Sequence, residues 1–197
     1  MGRFIKQTDI IQNTKNYIIK TSRQLFSKFG YLGVSMSDIA KKLNITKAAL
    51  YYHFTSKKEI YEKVLDNVFN DLISTITQAL KEDTAYKKLR KLIENYINFG
   101  LKEKNFIRAL MLRGAPTDRI TKCISQSQER IINLVQSVIE EALESKKLTK
   151  KVDIRFLTSL FIGMMNGLLL EYSFFNKKIN LAKIPDQIIA FLLGSIN

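Results

Sequence analysis

At 197 residues the chain is long enough to bury a substantial core, in one domain or in two small ones. Its 32 lysines and arginines against 18 acidic residues give a net charge of +14, a field that favours a polyanionic partner. One histidine leaves histidine-based metal clusters and catalytic triads nothing to work with, and one cysteine excludes an intrachain disulfide. Glycine-rich phosphate loops and paired-cysteine motifs are missing too, so the expectation is no enzyme, no cofactor and no metal site.

The charge is uneven. Residues 1–60 hold 11 basic and three acidic side chains. No secretory signal is expected, because the first dozen residues are polar and charged. The longest apolar run, between Arg155 and Glu171, is shorter than the roughly 20 residues that a bilayer-spanning helix needs. The expectation is therefore a cytoplasmic protein with no membrane partner, in a reducing compartment where Cys123 stays a thiol.

In chain order, residues 1 to about 12 read as a loosely ordered arm whose Arg3 and Lys6 are placed to reach a minor groove. A first helix follows to about Phe29, with Ile18, Ser22, Leu25, Phe26 and Phe29 on one stripe and Gly30 as its terminating glycine. Ser35 and Asp38 form a capping-box signature for a second helix, whose buried face is Met36, Ile39, Ala40 and Leu43. Asn44 then suits the left-handed conformation that a helix-ending turn requires.

Ile45 turns inward, and Thr46 is placed to cap a third helix with Ala49, Leu50 and Phe54 as its buried positions. Lys47, Ala48, Tyr51, Tyr52 and His53 are left facing outward. Two short helices joined by a tight turn, the second carrying donors on stiff arms, follow the plan of a helix-turn-helix that enters a DNA groove. Tyrosine hydroxyls and lysine ammonium groups suit phosphates, whereas Thr46, Lys47 and His53 can also reach bases.

Ser56 and Glu59 repeat the capping signature, so a long fourth helix, about residues 57–80, begins at Lys57. A fifth helix covers about Thr84 to Lys102 and a sixth about Asn105 to Arg113, which Gly114-Ala115-Pro116 breaks. The seventh runs from about Asp118 to Ser145. Asp153 caps an eighth that is nearly all apolar and so expected to be buried on more than one side. Gly163 and Gly167, four apart on it, invite close approach of another helix. Pro185 and Gly194 frame the ninth.

The run from about Tyr17 to Leu65 resembles the DNA-binding domain of TetR-family transcriptional regulators. The matching pieces are Leu25-Phe26, Phe29-Gly30-Tyr31, Asp38-Ile39-Ala40, Ile45-Thr46-Lys47, Leu50-Tyr51-Tyr52-His53-Phe54 and Ser56-Lys57. Two positions depart from the usual pattern, Asn44 and Ala48 standing where glycine is frequent.

The resemblance implies an all-α fold of about nine helices. A three-helix helix-turn-helix domain, residues 1–56, would be joined through the fourth helix to a helical ligand-binding and dimerisation domain, residues 57–197. It implies a DNA-binding repressor acting on a palindromic operator, with Lys57 on the DNA backbone and the two C-terminal helices forming a homodimer. Ser35, Thr46, Lys47, Ala48, Tyr51, Tyr52, His53 and Lys57 are the candidate DNA-binding residues.

An effector that is at least partly apolar would sit among Tyr96, Phe99, Phe106, Met111, Cys123, Phe161, Met164, Met165, Asn166, Glu171 and Tyr172. The alternative is a DNA-binding interaction protein of the same fold whose C-terminal domain binds a protein partner.

Overall fold

The computed structural model describes residues 7–112, 117–146, 153–175 and 183–194. Among the described residues nine α-helices run in order and no strand occurs: α1 (Gln7–Phe29), α2 (Met36–Leu43), α3 (Lys47–His53), α4 (Lys57–Thr77), α5 (Ala85–Lys102), α6 (Lys104–Leu112), α7 (Thr117–Ser145), α8 (Ile154–Phe175) and α9 (Ile184–Gly194). A short 3-10 turn, Gln78–Lys81, follows α4. The chain divides into two compact units. One comprises Met1–Val68 with Asn105–Cys123, and the other Phe69–Lys104 with Ile124–Asn197, so the division falls within α4.

In the first unit, Ile18, Phe26, Ile39, Leu50, Ile60, Val64 and Leu65 are fully buried. An aromatic cluster fixes the end of α1 to α4: Tyr61 lies 4.9 Å edge-on to Phe26 and 4.9 Å from Tyr31, and Phe106 of α6 is 6.4 Å from Tyr61. The helix ends follow local chemistry. Gly30 takes φ 72 and its N–H bonds to the Phe26 carbonyl at 2.8 Å. Asn44, at φ 55, ends α2, its N–H returning to the last turn and that of Ile45 reaching the Ala40 carbonyl at 3.1 Å.

Several expectations need correction here. The first helix begins at Gln7, inside what reads as a loose arm, because residues 7–16 contain no glycine or proline to stop it. Arg3 and Lys6 lie outside the described residues. Phe29 is exposed and Leu25 half-buried, so the buried stripe of α1 runs through Ile18, Ser22 and Phe26. Ala49 is exposed as well: α3 has seven residues and buries Leu50 alone, with Phe54 closing the core just after it.

The second unit centres on α5, which buries Leu89, Leu92, Ile93, Tyr96, Ile97 and Phe99. Thr84 caps it by accepting the Lys87 N–H at 3.3 Å. Helix α8 comes so close that a Cβ on Gly100 would lie 2.3 Å from Leu169 Cδ1. Gly100 is thus the glycine at which two helices of this chain meet, a role the sequence pattern assigns to Gly163 and Gly167. Among the described residues nothing lies within 4 Å of a Cβ built on either of those two.

Polar ties join the helices of this unit. Lys88 pairs with Glu141 at 2.8 Å, and Asp186 accepts from both the Tyr86 hydroxyl at 2.8 Å and Arg90 Nε at 3.0 Å. Arg155 pairs with Glu129 at 2.9 Å. Asp153 caps α8 by accepting the Phe156 N–H at 3.0 Å.

Helix α8 is not buried on more than one side. Phe156 and Leu160 are 61% and 55% exposed, and Phe191 on α9 is 67% exposed. The helix also exceeds the apolar run visible in the sequence: Ile154–Phe174, 21 residues, is long and apolar enough to cross a membrane by length and composition alone. Core helices of globular proteins pass the same test, but this one is largely uncovered.

Candidate nucleic-acid interface

The site is assembled from three consecutive helix starts. At α2 the Ser35 hydroxyl accepts the Asp38 N–H at 3.1 Å, while Asp38 Oδ2 accepts the Ser35 N–H at 2.8 Å and its hydroxyl at 2.6 Å. These bonds hold the Asp38 carboxyl below the ordinary carboxylate range. They also commit the Ser35 side chain to the cap, leaving its exposed edge for solvent or a phosphate. At α3 Thr46 Oγ1 accepts the Ala49 N–H at 3.0 Å, so its O–H remains free to donate elsewhere.

Along α3 the outward face is Lys47, Ala48, Tyr51 and Tyr52, with Tyr52 76% exposed. Its ring face and hydroxyl are therefore open to a partner. His53 departs from its expected place. It is half-buried, its ring lies edge-on to Tyr52 at 5.1 Å, and its Nδ1 is buried without a hydrogen-bond partner among the described residues.

At α4 Ser56 Oγ accepts the Glu59 N–H at 3.1 Å, as a capping box requires. The Glu59 carboxylate does not complete the box on Ser56; it accepts the N–H and hydroxyl of Thr55 at 2.7 and 2.8 Å. The first-turn N–H groups thereby sit beside Lys57 at the positive end of the helix dipole.

Lys57 itself is held. Its ammonium donates to the Tyr31 carbonyl at 2.8 Å and lies 4.3 Å over the Tyr31 ring. Burial pushes its pKa below the ordinary lysine value, and the Asp38 charge partly opposes that. Tyr31 is the residue that reading the sequence missed: it lies 26 positions away, and no spacing rule points a lysine toward it.

The candidate effector residues scatter more. Tyr96 is buried, its hydroxyl donates to Asn166 Oδ1 at 2.7 Å, and burial raises its pKa to about 12. Phe99, Phe161 and Met165 are buried in the same unit, Met164, Glu171 and Tyr172 are half-buried, and Asn166 is exposed despite its bond. Phe106 packs instead in the first unit, against Tyr61. The side chains of Met111 and Cys123 lie outside the described residues. Two surface clefts, of about 460 and 530 Å³, are lined by none of these residues. Among the described residues no three His, Cys, Asp or Glu side chains group to hold a metal ion.

Comparison with known proteins agrees with this layout. The family model described as bacterial regulatory proteins, tetR family, matches residues 18–64, and that of the YsiA-like protein C-terminal region matches residues 65–195. The biofilm operon icaADBC HTH-type negative transcriptional regulator IcaR of Staphylococcus aureus (strain Newman) is 33% identical over 149 residues, 75% of this chain and 80% of that protein.

Among solved structures, the transcriptional regulator FadR from Bacillus subtilis in complex with stearoyl-CoA shares the fold, with a TM-score of 0.76 and 18% identity over 91% of this chain and 98% of that one. AibR in complex with isovaleryl coenzyme A and operator DNA does so with a TM-score of 0.66 and 21% identity, over 91% and 97%. With both halves of the sequence matched and the helix-turn-helix formed where its residues predict, the chain belongs to the TetR family: it is a DNA-binding transcriptional regulator and not an enzyme.

Proposed function

We propose that the protein acts in the cytoplasm as a homodimer on a two-fold operator and is released by a small-molecule effector bound in its second unit. The observation that carries the DNA side is the exposed row of Lys47, Tyr51 and Tyr52 on α3, next to a lysine held at the start of α4. Lys47, Tyr51, Tyr52 and Lys57 take phosphates, Ser35 supports them at the start of α2, and Thr46, Ala48 and His53 meet base edges. Two α3 helices then enter successive major grooves, with half-sites about 34 to 36 Å apart or a multiple of that.

The homodimer reading rests on α8. Phe156, Leu160, Gly163 and Gly167 recur at helical spacing on one exposed face, and the two glycines leave it flat enough for another helix to come close. A second copy covers that face better than lipid does, because Arg155 and Asn166 lie at its edge. The effector is at least partly apolar. Acyl-CoA thioesters are the first compounds to try, since two proteins of the same fold hold them. Such a ligand acts only by binding the released state more tightly than the DNA-bound one, and the coupling is reciprocal.

The test of the DNA side is the salt dependence of duplex binding. Lys57→Ala is expected to weaken binding to every sequence and to reduce the slope of log K against log salt by about 0.9, one phosphate's share. An unchanged slope with altered base preference would contradict the assignment.

A further inference from the structure

A surface lysine normally explores many rotamers, and fixing it on a phosphate costs conformational entropy. Lys57 has already lost that freedom in the free protein. One of its three N–H donors is taken by the Tyr31 carbonyl at 2.8 Å, and its charge rests 4.3 Å above the Tyr31 ring. Two donors remain. Asp38, the carboxylate whose charge acts on Lys57, is itself engaged by Ser35 at 2.8 and 2.6 Å.

The platform is itself rigid. The Tyr31 ring is stacked 6.2 Å from Phe26 and lies 4.9 Å from Tyr61, both of them buried. Gly30, in its left-handed conformation, ends α1 immediately before it.

We propose that Tyr31 is a positioning residue for DNA binding: its carbonyl oxygen and ring face hold the Lys57 ammonium ready, with two donors free, for a backbone phosphate. This rests on the reading of Lys57 as a phosphate contact. It adds that part of the affinity is set by a residue that never touches DNA, by lowering the ordering cost of the one that does. Because the carbonyl belongs to the main chain, the side chain's share is the ring, and phenylalanine supplies a ring too.

The test is a double-mutant cycle read with a mixed-sequence duplex of about 30 base pairs across a salt series. Tyr31→Phe is expected to bind like the wild type. Tyr31→Leu is expected to weaken binding about 2- to 5-fold, the scale of an exposed cation–π contact. In the Lys57→Ala background Tyr31→Leu is expected to change nothing further.

A loss of equal size in both backgrounds, or none in either, overturns the positioning role while leaving Lys57 on the phosphate. If Lys57→Ala binds the duplex like the wild type, the phosphate reading fails and this inference goes with it.

One measurement does not depend on Tyr31→Leu folding. In the free wild-type protein the Lys57 Hε protons, assigned by their loss in Lys57→Ala, are expected to be shifted upfield by the ring beneath them. Shifts indistinguishable from those of the other lysines overturn the proposal.

Discussion

Asn44 carries the turn between α2 and α3 at φ 55, a conformation in which a residue without a local polar side chain is strained by about 1–2 kcal/mol. Asn44→Ala is therefore expected to lower the unfolding free energy by about that amount, and Asn44→Gly to be neutral or slightly stabilising, in denaturant titrations. Equal stabilities for alanine and asparagine would contradict the turn geometry.

Two tyrosines make a second prediction at this scale. Burial raises the phenols of Tyr61 and Tyr96 from 10.0 to about 12. The folded chain thus keeps protons there that the unfolded chain would release. Their contribution to stability is complete below pH 10 and is lost as pH rises from about 10 towards 12. In an alkaline titration followed by tyrosine absorbance, these two are expected to ionise late and together with loss of helix. A single step near pH 10 with the helical signal intact would show them to be exposed.

Some single residues were legible in the sequence and others were not. The caps at Ser35 and Thr46 and the turn at Asn44 rest on bonds spanning three to five positions, which spacing encodes. The Lys57–Tyr31 contact spans 26 positions, and the direction of a long flexible side chain leaves no trace in periodicity. His53 falls between: its place on α3 follows from helical spacing, but the half-burial of its ring depends on neighbours that the pattern does not reveal.

At the scale of elements, the helices α4 to α9 follow from apolar periodicity and caps, because a helix that buries one face must repeat it every turn. Burial of α8 did not follow. A run of apolar residues states that something covers the helix, and it does not state whether the cover is the same chain. Within this chain Leu160 is 55% exposed, so a charge there costs the monomer little. Leu160→Glu is expected to keep the thermal transition of the isolated chain but to convert the protein from dimer to monomer by sedimentation, since the charge would be buried without a partner in the interface. A wild type that sediments as a monomer would remove the dimer reading altogether. A variant that stays dimeric would move the interface elsewhere.

For the whole molecule, the net charge of +14 acts before any contact forms, drawing the chain to DNA of any sequence and making that attraction steeply salt-dependent. Charge alone yields a DNA-coating protein. In the proposed reading, the step to a regulator comes from α3 meeting bases and from two copies doing so at a fixed spacing. The effector remains the least legible part, because aromatic and methionine side chains at helical spacing serve equally as packing and as pocket lining.

Genome-wide binding of the protein to its own DNA, with footprinting of the best site, tests the central claim most directly. The account predicts a short palindrome beside the protein's own or a neighbouring gene, its half-sites about 34 to 36 Å apart or a multiple of that. Salt-sensitive occupancy spread over the genome with no preferred site would contradict it.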